Sequence, residues 1–335
     1  MKNTETEKKL AYMITAYISP ESLRSLMISL SDSDVDIYVH IDKKVDITPF
    51  FSVTEDIKNV TFLPEEMRVP VYWGGYSQVT MQYNLLKTIL KRNIRYDRII
   101  SLTGMDYPIA SNRVLREAFS DQEKEYIIGF DIGRENWDKS SPLKMSNKDR
   151  FLYYYRFDGN WNLARIIKKL RIRRFKSYGS IGYDLYYGSE YWALTYDCIR
   201  ELIQAYEEDD RLIQLLKHSF VPSESWIHTL FFNSSFRNKG IVWNGDVDWG
   251  IGNYSPLSYF KYGKKIKILD ETDYDAVISS GRPFARKLED GVSDALKEKL
   301  EAYKKSGSSI EKDLRYFNET FKKSRNYNPG KDRHI

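Results

Sequence analysis

A chain of 335 residues is long enough for one large layered domain or two small ones. Its net charge of +5, from 52 basic and 47 acidic residues, is too small and too mixed to argue for nucleic acid by itself. A single cysteine, Cys198, excludes an intrachain disulfide framework and a cysteine-rich metal site, and it fits a reducing compartment.

The amino end is polar and then strand-like, without the roughly 20 apolar residues of a membrane span. The expectation is a cytoplasmic protein. Residues 10–18, "LAYMITAYI", predict a buried first strand, and Ser19-Pro20 opens a helix. "DVDIYVHID" (34–42) alternates apolar and polar positions as a second strand, and "VTFLP" (60–64) predicts a third. "YWGGYS" predicts a glycine-rich turn, with Ser77 as the N-cap of the helix that follows. "YDRIISLTGMDYPI" (96–109) predicts a strand running into a loop, then a helix. Residues 131–187, rich in Tyr, Trp, Lys and Arg, predict a long insertion shaping an acceptor surface. "YWALT" (191–195) is strand-like and leads to a helix carrying Cys198; 291–304 predicts a last helix before a frayed polar tail. The predicted division is one domain over 8–290 and a C-terminal helix and tail over 291–335.

Strands alternating with helices predict an α/β fold with a largely parallel sheet. Ligands of such folds gather beyond the carboxyl ends of the strands, here at Tyr17–Pro20, His40–Lys44 and Thr103–Pro108. No GxxxxGK[ST] occurs and no strand leads into GxGxxG, which argues against a P-loop enzyme and a dinucleotide dehydrogenase.

Four stretches, in matching order and spacing, resemble the core-2/I-branching β-1,6-N-acetylglucosaminyltransferase family, which includes the peptide O-xylosyltransferases. They are "IYVHIDKK" (37–44), "VYWGGYSQV" with "IISLTGMDYPI" (71–109), "GSEYWALT" (188–195), and "PSESWIHTLFFNSSF" with "FARKL" (222–288). The resemblance implies a GT-A-like fold, a Rossmann-type mixed and largely parallel sheet flanked by helices. It also implies inverting transfer from a UDP-sugar, N-acetylglucosamine first, with no divalent metal and no other cofactor. UDP-xylose, UDP-glucuronate and UDP-galactofuranose are alternative donors. Animal members carry an amino-terminal anchor and disulfides, so the expectation is a bacterial version acting on a capsule or exopolysaccharide precursor, with a polyprenyl-diphosphate-linked glycan as acceptor.

Inverting transfer needs a base on the acceptor hydroxyl and positive charge for the departing diphosphate. By resemblance Glu224 is the base; read from the residues alone it is an acid in a first helical turn, where the helix dipole favours its ionised form. Glu190 is the alternative base. A metal-using GT-A enzyme places Asp-x-Asp after a central strand, and "TGMDYP" there offers only Asp106. Asp32-Ser-Asp34 and Asp246-Val-Asp248 match the letters, the first ahead of a strand and the second far too late. For the diphosphate, resemblance points to Lys287, with Arg286 and Arg282 beside it and Lys265 or Lys267 as a second basic contact. Read alone, these are a solvated basic loop. Ala16, Tyr17 and Asp42 are the nucleotide candidates, with Trp73, Gly74 and Gly75 as a close backbone approach. Asp106, Tyr107, Ser189, Glu190 and Trp192 are candidate sugar contacts, and His228 a neighbour of Glu224.

"NLARIIKKLRIRRFKS" (162–177) puts Leu163, Ile166, Ile167 and Leu170 on one helical stripe among seven basic residues, with no acid from Gly159 to Tyr183. Such a helix lies on an anionic membrane surface or packs its stripe into the protein with a solvated basic face. Two rival classes are a non-catalytic sugar-binding protein, against which Glu224 and Lys287 argue, and an RNA binder, which has charge and aromatics but no RNP-type motif.

Overall fold

The computed structural model describes residues 9–134, 145–243, 255, 257–263, 265–306 and 314–322. Strands run in chain order as β1 (Leu10–Ala16), β2 (Val35–Ile41), β3 (Val60–Phe62), β4 (Arg98–Thr103), β5 (Asp106–Pro108), β6 (Ile128–Asp131), β7 (Tyr186–Tyr187), β8 (Ala193–Leu194), β9 (Ile241–Val242), β10 (Ser258–Tyr259) and β11 (Phe284–Arg286). The central sheet has the order β3-β2-β1-β4-β8 and is parallel except at β8. Buried residues run nearly unbroken along β1, β2 and β4, as strands covered on both faces require. Helices Pro20–Leu30 and Ser77–Lys91 pack Leu23, Leu26, Leu85 and Leu86 onto it. The expected α/β layering is what forms.

From β1 the chain winds outward through β2 and β3, then returns to place β4 on the other side of β1. The carboxyl ends of β1 and β4 therefore part at a topological switch point, which opens a crevice for a ligand. Gly104 stands at its floor: its N–H donates to the Thr15 carbonyl at 2.9 Å. A Cβ there would meet that of Ala16 at 2.8 Å, so only glycine fits.

The stretch 96–109, predicted as a strand running into a loop, holds a second short strand where the loop was expected. β4 ends at Thr103, and β5 joins a separate sheet of order β10-β11-β5. Asp106 enforces the break, because its Oδ2 accepts from the Thr103 N–H and from its hydroxyl at 2.9 Å. β5 and β11 pair antiparallel, with Arg286 opposite Asp106 and Ala285 opposite Tyr107. The two motifs "LTGMDYPI" and "FARKL" are thus one ribbon.

Residues beyond 290 are not an appendage. Helix Asp294–Lys305 buries Leu296 and Leu300 in a cluster with Tyr107, Ile109 and Leu288. Glu301 accepts from Ser29 and from the Tyr107 hydroxyl, both at 2.7 Å. Helix Arg315–Lys322 puts Phe317 and Phe321 against Tyr126 of the main core, so a domain edge at 290 would cut through packing. The tail from 323 lies outside the described residues. Among the described residues no helix is long and apolar enough to cross a membrane.

Candidate active site

The crevice beyond β1 and β4 is a cleft of about 530 Å³. Ala16, Tyr17 and Asp42 form its wall at the carboxyl ends of β1 and β2, Arg286 and Lys287 its basic wall, and Ser189, Glu190 and Glu224 its acidic wall. Nine of the residues singled out from sequence therefore meet, once Trp73 at the rim is counted. Tyr17, Trp73 and Tyr262 are exposed at the cleft, Trp73 by 56%, offering ring faces to a base or sugar. Asp42 is held rather than free to turn: its Oδ1 accepts from the Lys44 and Val71 N–H groups at 2.9 and 3.2 Å.

Glu224 closes a one-turn 3-10 helix, Pro222–Glu224, just ahead of the helix Trp226–Phe232. A full helical first turn is thus not what holds it, contrary to the dipole reading. An ion pair does so instead. Arg150, wholly buried, reaches Glu224 Oε2 at 3.0 Å and also donates to the carbonyls of Phe220 and Val221 and to Asn147 Oδ1. Glu224 keeps 25% of its side chain exposed toward the cleft. Sequence reading missed Arg150. It sits in the insertion among other basic residues, with no acid at helical spacing to mark it.

Val221 turns the chain into this segment at φ 49°, ψ 55°, a left-handed conformation that is an outlier for a β-branched residue. Its N–H donates to the Gly74 carbonyl at 2.9 Å, and Arg150 takes its carbonyl. Here the Trp73-Gly74-Gly75 motif finds its use. A Cβ on Gly74 would meet the Phe220 ring at 2.8 Å, and one on Gly75 would meet the Asp158 carboxylate at 2.2 Å. These glycines admit protein rather than ligand, and neither lines the cleft. Ser77 does not cap from outside either. It is the first helical residue, and the Asp158 carboxylate takes the Tyr76 and Ser77 N–H groups at 2.9 and 3.0 Å.

Glu190 shares the acidic wall. Burial raises its carboxyl above the ordinary value and the Glu224 charge adds to this, against the opposing pull of Ser223, Arg286 and Gln82. Gln82 donates to Glu190 Oε1 at 3.2 Å and accepts from the Trp226 indole at 2.6 Å, so one side chain ties both helices to the site. On the basic wall Arg286 lies 3.8 Å from Asp106 and stacks over Tyr191 at 4.3 Å. Lys287 forms no ion pair among the described residues. Burial lowers its ammonium from the ordinary value, and the neighbouring Arg286 charge lowers it further, a strain that a bound anion would relieve.

Several predicted residues stand elsewhere. Arg282 is buried, its guanidinium on the Ser255 carbonyl and over the Tyr316 ring. Lys267 is matched by Asp270 and Asp273 at 3.0 and 2.6 Å, while Lys265 is exposed and outside the cleft lining. Tyr107 is buried against Glu301, and Trp192 is a core residue. Asp106 is buried beneath the cleft on Thr103, not facing a sugar. Burial raises its carboxyl and Arg286 opposes the rise. His228 is buried and pushed down to about 3 by burial and then by the Arg150 charge, which keeps it neutral. Asp32 and Asp34 pair with Arg116 away from the cleft; Asp246 and Asp248 lie outside the described residues. Among the described residues no group of three His, Cys, Asp or Glu side chains is placed to hold a metal ion.

Comparison with known proteins gives relatives at low identity. A β-glucuronosyltransferase, GlcAT14A, of Arabidopsis thaliana is 23% identical over 305 residues, covering 87% of this chain and 64% of its own length. Xylosyltransferases of Drosophila pseudoobscura pseudoobscura and Ciona intestinalis are 23% and 25% identical over 236 residues, each covering 68% of this chain. The chain spans about a quarter of those two proteins, 24% and 25%. A solved 4-diphosphocytidyl-2C-methyl-D-erythritol synthase from Anaerococcus prevotii overlaps 71% of this chain and 88% of its own at TM-score 0.33 and 13% identity, too low to add to the topology above. The model of the core-2/I-branching enzyme matches residues 10–273, and the chain belongs to that family.

Proposed function

We propose that this protein is an inverting glycosyltransferase that moves a sugar from a UDP-sugar to a hydroxyl of a glycan acceptor without a divalent metal. The observation that carries the reading is the meeting, in one cleft at the β1/β4 switch point, of the carboxylates Glu190 and Glu224 with the cations Arg286 and Lys287. Glu224 takes the acceptor proton as the new C–O bond forms on the anomeric carbon. Its Oε2 holds Arg150, so Oε1 is the oxygen offered to the hydroxyl. The UDP oxygen leaves with the electron pair of the broken bond, and Lys287 with Arg286 meets its charge. Asp106 supports this role, because its carboxylate is buried toward Arg286 and is not presented to the cleft as a metal ligand. Glu190, raised by burial and by the Glu224 charge and tied to Gln82, is a contact for a sugar rather than the base.

N-acetylglucosamine is the donor sugar first proposed, and glucuronate and xylose, the sugars named in the relatives, are its competitors. The acceptor proposed is a lipid-linked capsule or exopolysaccharide precursor in the bacterial cytoplasm. A donor screen in excess EDTA, reading UDP release and product, tests both halves. Wild type should turn over in EDTA, and Glu224→Gln should lose about 100- to 10,000-fold in kcat, the range for a lost general base. Activity abolished by EDTA overturns the metal-free mechanism, and full activity in Glu224→Gln overturns the base.

A further inference from the structure

The helix Trp161–Leu170 in the insertion is built the wrong way round for a packing element. It buries Ala164, in a cluster with Phe157, Phe220 and Val221, and lays the half-buried Lys168 over the Phe220 ring at 4.1 Å. Three of its four large aliphatic side chains face outward, Leu163 48% exposed, Ile166 55% and Leu170 63%, while Ile167 is partly buried. Trp161 and Ile172, at either end of the helix, are also exposed, Trp161 in an edge contact with the Phe157 ring. A helix that served only to pack would turn leucine and isoleucine inward and alanine and lysine outward, because apolar area left in water forgoes about 25 cal/mol per Å². The helix is nonetheless well made, with Asn160 capping the N–H groups of Asn162 and Leu163 at 2.9 and 3.1 Å.

Charge identifies the occupant. Arg165 and Lys169, one turn apart, border the apolar line and are exposed, and Lys176 follows. Arg171 and Arg174 are otherwise engaged, the first with Asp149 at 3.0 Å and the second with the carbonyls of Leu215 and His218. No carboxylate lies between Asp158 and Asp184. A segment that is apolar along one line, basic along the next and without a carboxylate of its own complements an anionic bilayer, whose interface offers hydrocarbon below and phosphate above. A protein partner of mixed charge would be expected to find acids here as well.

We propose that the segment 161–176 docks this protein on an anionic phospholipid surface. The site is linked to the cleft. Phe220, beneath the helix, also touches Trp73 at the cleft rim, and the chain runs on through Val221 to Glu224. Docking along the helix therefore brings the cleft mouth toward the headgroups, where a lipid-carried acceptor would sit. The proposal does not depend on the transferase reading, since it concerns binding alone.

Vesicle flotation of the full chain tests it, using phosphatidylcholine alone and phosphatidylcholine with about 30% phosphatidylglycerol as probes. Wild type floats with the anionic vesicles, not with the neutral ones, and flotation weakens as salt rises. Each basic side chain near such a surface contributes roughly fivefold in partitioning, so Arg165→Glu with Lys169→Glu reduces binding by at least about twenty-fivefold. Leu163→Ser, Ile166→Ser and Leu170→Ser together abolish it, while UDP-induced thermal stabilisation is unchanged. The charge variant alters only exposed residues, so it keeps the test open if the serine variant misfolds. The proposal is overturned if wild type fails to float with anionic vesicles, or if the charge variant floats undiminished. It is also overturned if the serine variant converts a dimer to a monomer in sedimentation, or if RNA, not vesicles, competes for the basic residues.

Discussion

Arg150→Met isolates what holds the proposed base in place. Methionine fills the space of the arginine stem, so the change removes charge and hydrogen bonds and little volume. Four contacts go: the ion pair to Glu224 at 3.0 Å, the bonds to the Phe220 and Val221 carbonyls, and that to Asn147. Arg150 is wholly buried, so its two carbonyl partners are left unsatisfied at about 1–3 kcal/mol each. Removing one partner of a buried pair costs about 3–5 kcal/mol, and the two counts overlap. A loss of about 4 kcal/mol lowers the melting temperature by on the order of 10 °C in a chain of this size. The internal control is Arg171→Met, which breaks an exposed pair with Asp149 in the same insertion and costs less than about 1 kcal/mol.

The kinetic signature is as specific as the thermal one. Val221 holds its left-handed conformation between the Gly74 carbonyl and Arg150, at a standing cost of about 1–3 kcal/mol. Without Arg150 that turn relaxes and Glu224 shifts, and a displacement of about 1 Å lowers turnover by roughly 100-fold. Lys287 follows β11 and lines the cleft, whereas Arg150 does not line it, so KM for the UDP-sugar stays within about threefold. The assay is a melt plus steady-state kinetics on wild type, Arg150→Met and Arg171→Met. An Arg150→Met protein that melts with wild type, or one whose defect lies in donor KM with kcat intact, refutes the reasoning.

Lys287→Met removes a cation that burial and Arg286 already disfavour and that is proposed to meet the diphosphate; UDP affinity should fall by about 10- to 100-fold, read by calorimetry, with the melting temperature of the free protein unchanged or raised. Unchanged UDP affinity would remove Lys287 from the leaving-group site. Glu190→Gln gives a pH signature. Its folded-state carboxyl is raised above the ordinary value of 4.5, so the wild type is increasingly penalised as pH climbs from about that value through the raised one. The melting difference in favour of Glu190→Gln should therefore grow over that span and then level, and a difference flat with pH would mean the carboxyl is not held neutral.

Strands with unbroken burial or strict alternation were legible in sequence, and so was the helix over 77–91, because their signals are local. The β5–β11 ribbon was not, since it joins Asp106 to Arg286 across most of the chain with no periodicity to announce the pairing. Lys267 shows the reverse: Asp270 and Asp273 follow it at short spacing, and that signal could have assigned it as matched. Gly74 and Gly75 read correctly as a place of close approach, but sequence does not say what approaches, and Phe220 and Asp158 do. Trp192 was ambiguous for a general reason: an indole suits a core and a sugar site equally until burial decides.

The insertion explains why so much of the site lay out of reach of pattern reading. It contributes Arg150 to the Glu224 carboxylate, Asp158 to the first turn of the Ser77–Lys91 helix, and Ala164 and Lys168 to the underside of Phe220. Each contact ends on the Trp73–Ser77 turn or on the segment 220–224, the two loops that border the acidic wall. The sheet thus fixes the end of the cleft proposed for the nucleotide, while the insertion fixes the end proposed for the acceptor. A residue there need not touch substrate to govern turnover; it only has to hold Val221 and Glu224 where the sheet alone would leave them unsupported.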